Sequence, residues 1–245
     1  MKAVILAAGA ATRLRPVTDS IPKCLLPVGG QPLLKRTIDA LLSNGIHEIV
    51  VAVGYRSDSV ISFCKNTYPS HTLHTVENPE YATTNNSYSL LLTEKHVQGD
   101  AMVLLDGDIL FDPRLIGHLL SSKQPDVLLL RPCRRLGSDE IKVVADAENR
   151  VLRISKDVDP RDASGESIGI ERFSESTVRR LFTILRRRIG DEQRINEWYE
   201  ESFQELIDGG THIYCVDTVG LPCIEIDTMA DIETAERDVL PLIGV

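Results

Sequence analysis

Short apolar runs alternate with amphipathic stretches through the first half of the chain. Residues 3–6 are apolar and partly β-branched, which predicts a strand buried on both faces. Residues 32–43 place Leu33, Leu34, Ile38, Leu41 and Leu42 at helical spacing, with Pro32 suited to a first turn and Gly45 to a stop. The same reading predicts strands at 49–53, 73–76, 101–105 and 126–130, and helices at 57–65, 86–96 and 113–121. Strands and helices in alternation predict an α/β fold, with a Rossmann-like, mostly parallel sheet covered on both faces.

The pattern changes in the second half. Residues 141–145 and 151–155 flank a polar turn and read as a β-hairpin. Further strands are predicted at 167–173, 212–216 and 224–226, and helices at 175–189, 197–208 and 228–238. No repeat or linker interrupts the chain, so the expectation is one domain over 1–245. Within it, the hairpin and later helices, about 134–210, would form a lid or acceptor-binding insertion.

Composition narrows the choice of partners. The 245 residues carry a formal net charge of -9, which argues against nucleic acid and anionic membranes but not against a nucleotide. Cys24, Cys64, Cys133, Cys215 and Cys223 are scattered, without metal-site spacing, as reduced thiols would be. The apolar start is too short for a signal segment or a membrane span, so a cytoplasmic location is expected.

The strongest motif is Leu6-Ala7-Ala8-Gly9-Ala10-Ala11-Thr12-Arg13-Leu14, followed by Pro22-Lys23-Cys24-Leu25. A loop of small residues at the C-terminal end of a first parallel strand lets backbone amides approach a phosphate chain. Arg13 and Lys23 add a forked and a compact cation. The spacing is neither G-x-G-x-x-G nor a Walker A loop. A second signal is acidic. Asp106-Gly107-Asp108 follows one apolar run, and Asp227 follows Ile224-Glu225-Ile226. Carboxylates at two strand ends can share a hard divalent cation. Singly, Asp108 also reads as a turn residue and Asp227 as part of a helix cap with Thr228 and Asp231; beside the first loop, the metal reading is the stronger.

The stretch LAAGAATRLRPVTDSIPKCLLPVGGQPLL resembles the N-terminal signature of the nucleotidyltransferase superfamily that includes the sugar-1-phosphate nucleotidyltransferases. ENPEYATTNNSYSL, LLDGDILFD and CIEIDTMADI resemble its phosphocholine cytidylyltransferase-like branch. The resemblance implies the nucleotide-diphospho-sugar transferase type of fold. It implies that Leu6, Ala7, Ala8, Gly9 and Arg13 hold the NTP, that Lys23 contacts the reacting phosphate, and that Asp108 and Asp227 bind Mg²⁺ with Asp106 in support. It also places base recognition, favouring cytosine, at Asn78, Thr84 and Asn85, and sends Lys156 to the acceptor phosphate, with Lys142 as a lesser candidate. Ala10-Ala11 departs from the glycine or charged residue of many relatives.

The implied reaction joins CMP from CTP to phosphocholine or a similar small phosphorylated acceptor. An acceptor phosphate oxygen attacks the α-phosphorus and pyrophosphate leaves. That oxygen is already anionic near neutral pH, so no general base is needed, only cations and in-line positioning. Near the acceptor, Trp198 with Glu197, Tyr199, Glu200 and Glu201 offers an aromatic face and carboxylates to a quaternary ammonium. The plainer alternative for this stretch is an amphipathic helix packing its aromatics. A sugar-1-phosphate nucleotidyltransferase using another NTP, or a non-catalytic nucleotide-binding module, remains open beside it.

Overall fold

The computed structural model describes residues 1–132 and 136–243. Cys133 and the first two residues of the expected 134–210 insertion lie outside the described residues. The chain opens with β1 (Lys2–Ala7), followed by a two-residue strand pair, β2 (Pro27–Val28) and β3 (Gln31–Pro32). Next come α1 (Leu33–Ser43), β4 (Glu48–Val53), α2 (Ser57–Thr67) and β5 (Thr72–Glu77). Helices α3 (Asn86–Leu92) and α4 (Glu94–Val97) precede β6 (Met102–Asp106), β7 (Ile109–Phe111), α5 (Arg114–Ser121) and β8 (Val127–Arg131). The second half contains β9 (Lys142–Ala145), β10 (Val151–Ser155), β11 (Gly165–Phe173), α6 (Glu175–Arg186) and α7 (Glu200–Asp208). It closes with β12 (Tyr214–Asp217), β13 (Cys223–Glu225) and α8 (Met229–Thr234).

The main sheet runs β10-β9-β11-β6-β1-β4-β5; β8 joins it through β11, and β12 pairs with β8. Strands β6, β1, β4 and β5 are mutually parallel, whereas β11 runs antiparallel to β6, β8 and β9. The fold is therefore the mixed, mostly parallel α/β type that the first half of the sequence predicts. The 141–145/151–155 hairpin is present as β9–β10 and extends the sheet at one edge.

Alternation along the strands divides the core. Ala3, Ile5, Val51, Val103 and Leu105 pack with α1, α2 and α5 on one face. Val4, Leu6, Val50, Ala52, Met102 and Leu104 pack with α3, α6 and α7 on the other. A strand buried on both faces has to be apolar throughout, which is why these runs are continuous. A smaller cluster of Leu14, Leu26, Val28, Leu33, Leu110, Ile226 and Ala235 lies under the loops at the carboxyl end of the sheet.

Three predicted helices are interrupted. The 86–96 stretch breaks at Thr93, whose hydroxyl donates to Leu90 O at 2.7 Å and offers the backbone a local alternative to helix. The 175–189 helix ends at Arg186 and widens into a π turn, Arg187–Asp191. The 228–238 helix does the same after Thr234.

Candidate active site

The carboxyl ends of β1, β6 and β13 converge on one cleft. The loop after β1 packs its backbone against the β4 end, where Tyr55 N–H donates to Ala8 O at 3.0 Å. Gly107 N–H donates to Leu6 O at 2.9 Å, and a Cβ on Gly107 would lie 2.7 Å from that oxygen. Only glycine lets the Asp106–Asp108 turn press this closely on β1, which sets Asp108 beside the loop. Asp227 is placed from the opposite side. The Asp231 carboxylate accepts from the Asp227 and Thr228 backbone amides at 2.9 and 2.6 Å, inside a capping box that starts α8. The cap read from sequence is therefore real, and it holds the acid in place.

Lys23 bridges the two acids. It sits on a 3₁₀ turn anchored by buried Cys24 and Leu25, and its Nζ lies 2.7 Å from Asp108 Oδ2 and 2.6 Å from Asp227 Oδ1. Arg13 Nη2 is 2.6 Å from the other Asp227 oxygen. Burial works against the Lys23 charge, but the two carboxylates outweigh it and hold its pKa above the ordinary lysine range. Burial likewise opposes ionisation of Asp227, and Lys23 and Arg13 overcome it, so its pKa is lowered. Glu225 is the third acid here: lost hydration and the charges of Asp108 and Asp227 push it up to about 8. Oxygens of Asp108, Glu225 and Asp227 lie within 4.8 Å of one another, the one such grouping among the described residues. Asp108 Oδ1 is buried and has no hydrogen-bond partner. An orphaned oxygen in an all-carboxylate set suits a hard divalent cation.

Two cavities, about 310 and 480 Å³, adjoin at this cluster and share Arg13, Asn86, Asp106, Trp198, Glu225 and Asp227. The first is lined by Leu6, Ala7, Ala8, Gly9, Lys23, Asn78, Thr84, Asn85 and Asp108. The structure thus gathers every expected nucleotide and metal residue around one space. Within it, Asn78 is spoken for: its amide donates to Thr84 Oγ1 and Ser89 Oγ, both at 3.0 Å, and its Oδ1 accepts from Glu80 N–H at 2.9 Å. Asn85 caps α3 by accepting from Asn86 N–H.

The second cavity holds Lys156, Trp198 and Glu200. The Lys156 ammonium lies 3.9 Å from the Trp198 ring centre. Glu200 is buried with an unpartnered Oε2, and burial pushes its carboxyl up to about 7. Two residues expected beside Trp198 face elsewhere. Tyr199 is fully buried and its hydroxyl donates to Asp106 Oδ2 at 3.0 Å, because successive residues entering α7 point in different directions. Glu197 lines neither cavity and pairs with Arg188 and Arg194. Lys142 is buried as well, donating to Gly137 O and Glu140 O. Glu225, missed in the sequence, alternates with Ile224 and Ile226. That period of two puts it on the same side as Asp227 and was a usable signal.

A model of the MobA-like NTP transferase domain matches residues 3–137, more than half of the chain. The chain belongs to the MobA-like NTP transferase family. The matched part contains the β1 loop, Lys23 and the Asp106–Asp108 turn, while Lys156, Trp198 and Asp227 lie beyond it. Among curated relatives, the CMP-5'-(3-aminopropyl)phosphonate synthase of Streptomyces rubellomurinus is 34% identical over 60% of this chain and 23% of its own length. The choline-phosphate cytidylyltransferase of Streptococcus pneumoniae is 39% identical over 43% of this chain and 44% of its own. This NTP transferase chain spans about half or less of the length of such relatives. A solved CTP:phosphocholine cytidylyltransferase from Streptococcus pneumoniae shares the fold with a TM-score of 0.79, at 24% identity over 96% of this chain and 97% of that one. The inositol-1-phosphate CTP transferase from T. maritima does so with a TM-score of 0.79, at 23% identity over 97% of each chain. No helix among the described residues is long and apolar enough to cross a membrane.

Proposed function

We propose that this chain is an Mg²⁺-dependent nucleotidyltransferase that moves CMP from CTP to phosphocholine or a similar small phosphorylated acceptor. The observation that carries the reading is Lys23 held in the first cavity between Asp108 and Asp227, the last of which also lines the second cavity. In this reading the first cavity takes the NTP, its phosphates along Ala7–Gly9 and its base toward Thr84 and Asn85. The second takes the acceptor, with residues 136–210 supplying much of its wall. An acceptor phosphate oxygen forms a bond to the α-phosphorus as the bond to pyrophosphate breaks. Lys23 and Arg13 are placed to balance the charge that gathers there. Asp108 and Asp227, with Glu225 beside them, would hold the Mg²⁺, which supplies further charge neutralisation at the phosphates.

A cationic acceptor is supported by the charge of the second cavity. Arg13, Arg131 and Lys156 face Asp139, Glu140, Glu166, Glu200 and the shared acids. Trp198 already holds an ammonium against its face. The test is pyrophosphate release across a panel of four NTPs and several acceptors: phosphocholine, an aminoalkylphosphonate, inositol-1-phosphate and glucose-1-phosphate. CTP with a cationic acceptor should be fastest. Preference for a sugar phosphate with another NTP would replace this reading, and tight NTP binding without product would favour a regulatory module.

A further inference from the structure

Trp198 stands between the two cavities, and its backbone is pinned from the α3 side. Asn85 N–H donates to Ile195 O at 3.0 Å, Ser87 Oγ donates to Glu197 O at 2.6 Å, and Asn86 Oδ1 accepts from Tyr199 N–H at 2.9 Å. From the outer side the π turn after α6 brings in Arg188, whose side chain is only 11% exposed. Its Nε and Nη2 reach Glu197 Oε2 at 2.9 and 2.7 Å, and its Nη1 reaches Glu205 Oε2 on α7 at 3.0 Å. The second Glu197 oxygen accepts from Arg194 at 3.3 Å, so both oxygens of Glu197 are engaged away from the cavities. A forked, largely buried guanidinium contact fixes geometry far better than an exposed ion pair does.

We infer that Arg188 is a positioning residue for acceptor recognition. Through Glu197 it locks the segment carrying Trp198 against α3 and α7, while lining neither cavity itself. This rests on the acceptor reading above for its kinetic consequence alone; the rigidity of the Trp198 wall is independent of what the enzyme transfers.

Trp198 is the single tryptophan of the chain, so its fluorescence reports the wall directly. The experiment compares the full chain with Arg188→Met and Arg188→Lys by acrylamide quenching, and by KM for phosphocholine and for CTP. In Arg188→Met the quenching constant should rise about two-fold or more, and KM for phosphocholine about ten-fold. The CTP KM and kcat should stay within about two-fold, and Arg188→Lys, which keeps charge but loses the fork, should fall between. Parent-like quenching and phosphocholine KM in Arg188→Met would overturn the inference. So would equal rises in both KM values, which mark general loosening. Should Arg188→Met fail to fold, quenching in Arg188→Lys decides: an increase supports the strut and parent-like quenching refutes it. Increased quenching in a protein that transfers nothing to phosphocholine would leave the strut standing and remove only the substrate reading.

Discussion

The Lys156 ammonium rests 3.9 Å from the centre of the Trp198 ring. An internal cation therefore occupies the aromatic face that a quaternary ammonium would take, and the two must compete. In the proposed reaction Lys156 moves to the acceptor phosphate when the head group arrives. Trp198→Leu should raise KM for phosphocholine several-fold to tens-fold, since a cation–π contact is worth ~0.5–2 kcal/mol. KM for CTP should change much less. Lys156→Met should weaken phosphocholine, which has a phosphate to lose, but strengthen binding of choline itself. Calorimetric titration of both ligands checks the pair; weakening of choline too would show that Lys156 is no competitor.

The carboxylate cluster makes a sharper demand. Asp108→Asn and Asp227→Asn should each abolish most pyrophosphate release while leaving the far-UV circular dichroism unchanged. EDTA should silence the parent enzyme, and Mg²⁺ should restore it. Turnover near the parent rate in either variant at moderate Mg²⁺ contradicts the metal assignment.

Lys23 and Arg13 contact the same acid but should fail differently. Lys23 is enclosed between Asp108 and Asp227. In the proposed reaction it meets the reacting phosphate, so Lys23→Ala should lower kcat by an amount equivalent to ~2.7–4 kcal/mol. Arg13 is 58% exposed at the cavity rim, so Arg13→Ala should chiefly raise KM for CTP. Steady-state kinetics separate the two; a Lys23→Ala defect confined to KM would mean equal binding of ground and transition states.

Much of this site was legible because its chemistry lies at strand ends. Continuous apolar runs mark β1 and β6, and the loops after them carry Gly9, Arg13 and Asp108 in plain view. Asp227 was legible for the same reason. What pattern could not supply is direction. Trp198, Tyr199 and Glu200 are adjacent in sequence, yet one ring faces the cavities, the next is buried against Asp106, and the acid returns to the second cavity. Asn78 reads as a base-recognition side chain, but the polar groups it satisfies are its own neighbours. The partner switch of β11 was equally hidden. Gly169, at φ +69°, bends that strand where a Cβ would lie 2.5 Å from Asp106 Oδ2. In sequence it is one glycine within an ordinary strand pattern.

Burial of Glu200 gives a pH signature. Its carboxyl titrates at about 7 in the folded chain, against roughly 4.3 for an unperturbed glutamate. The folded state thus holds a proton that the unfolded state has released. This contribution is fully present below the unfolded value and is lost as pH rises through about 7, to a limit of roughly 4 kcal/mol. Glu200→Gln should flatten the fall in stability between pH 5 and 8, read by urea unfolding at each pH. An unchanged slope would show that Glu200 ionises normally.

In the proposed reaction the cytidylyl group passes, through its α-phosphorus, from pyrophosphate to the acceptor at the cluster held by Lys23. The most direct measurement follows CTP labelled at the α-phosphate, incubated with the parent enzyme, phosphocholine and Mg²⁺, with Asp108→Asn alongside. The expected result is label in a cytidine diphosphate ester of the acceptor, one pyrophosphate released per ester formed, and neither product from Asp108→Asn. Label remaining in CTP despite saturable CTP binding, or passing to free CMP with no ester formed, would rule out cytidylyl transfer to this acceptor.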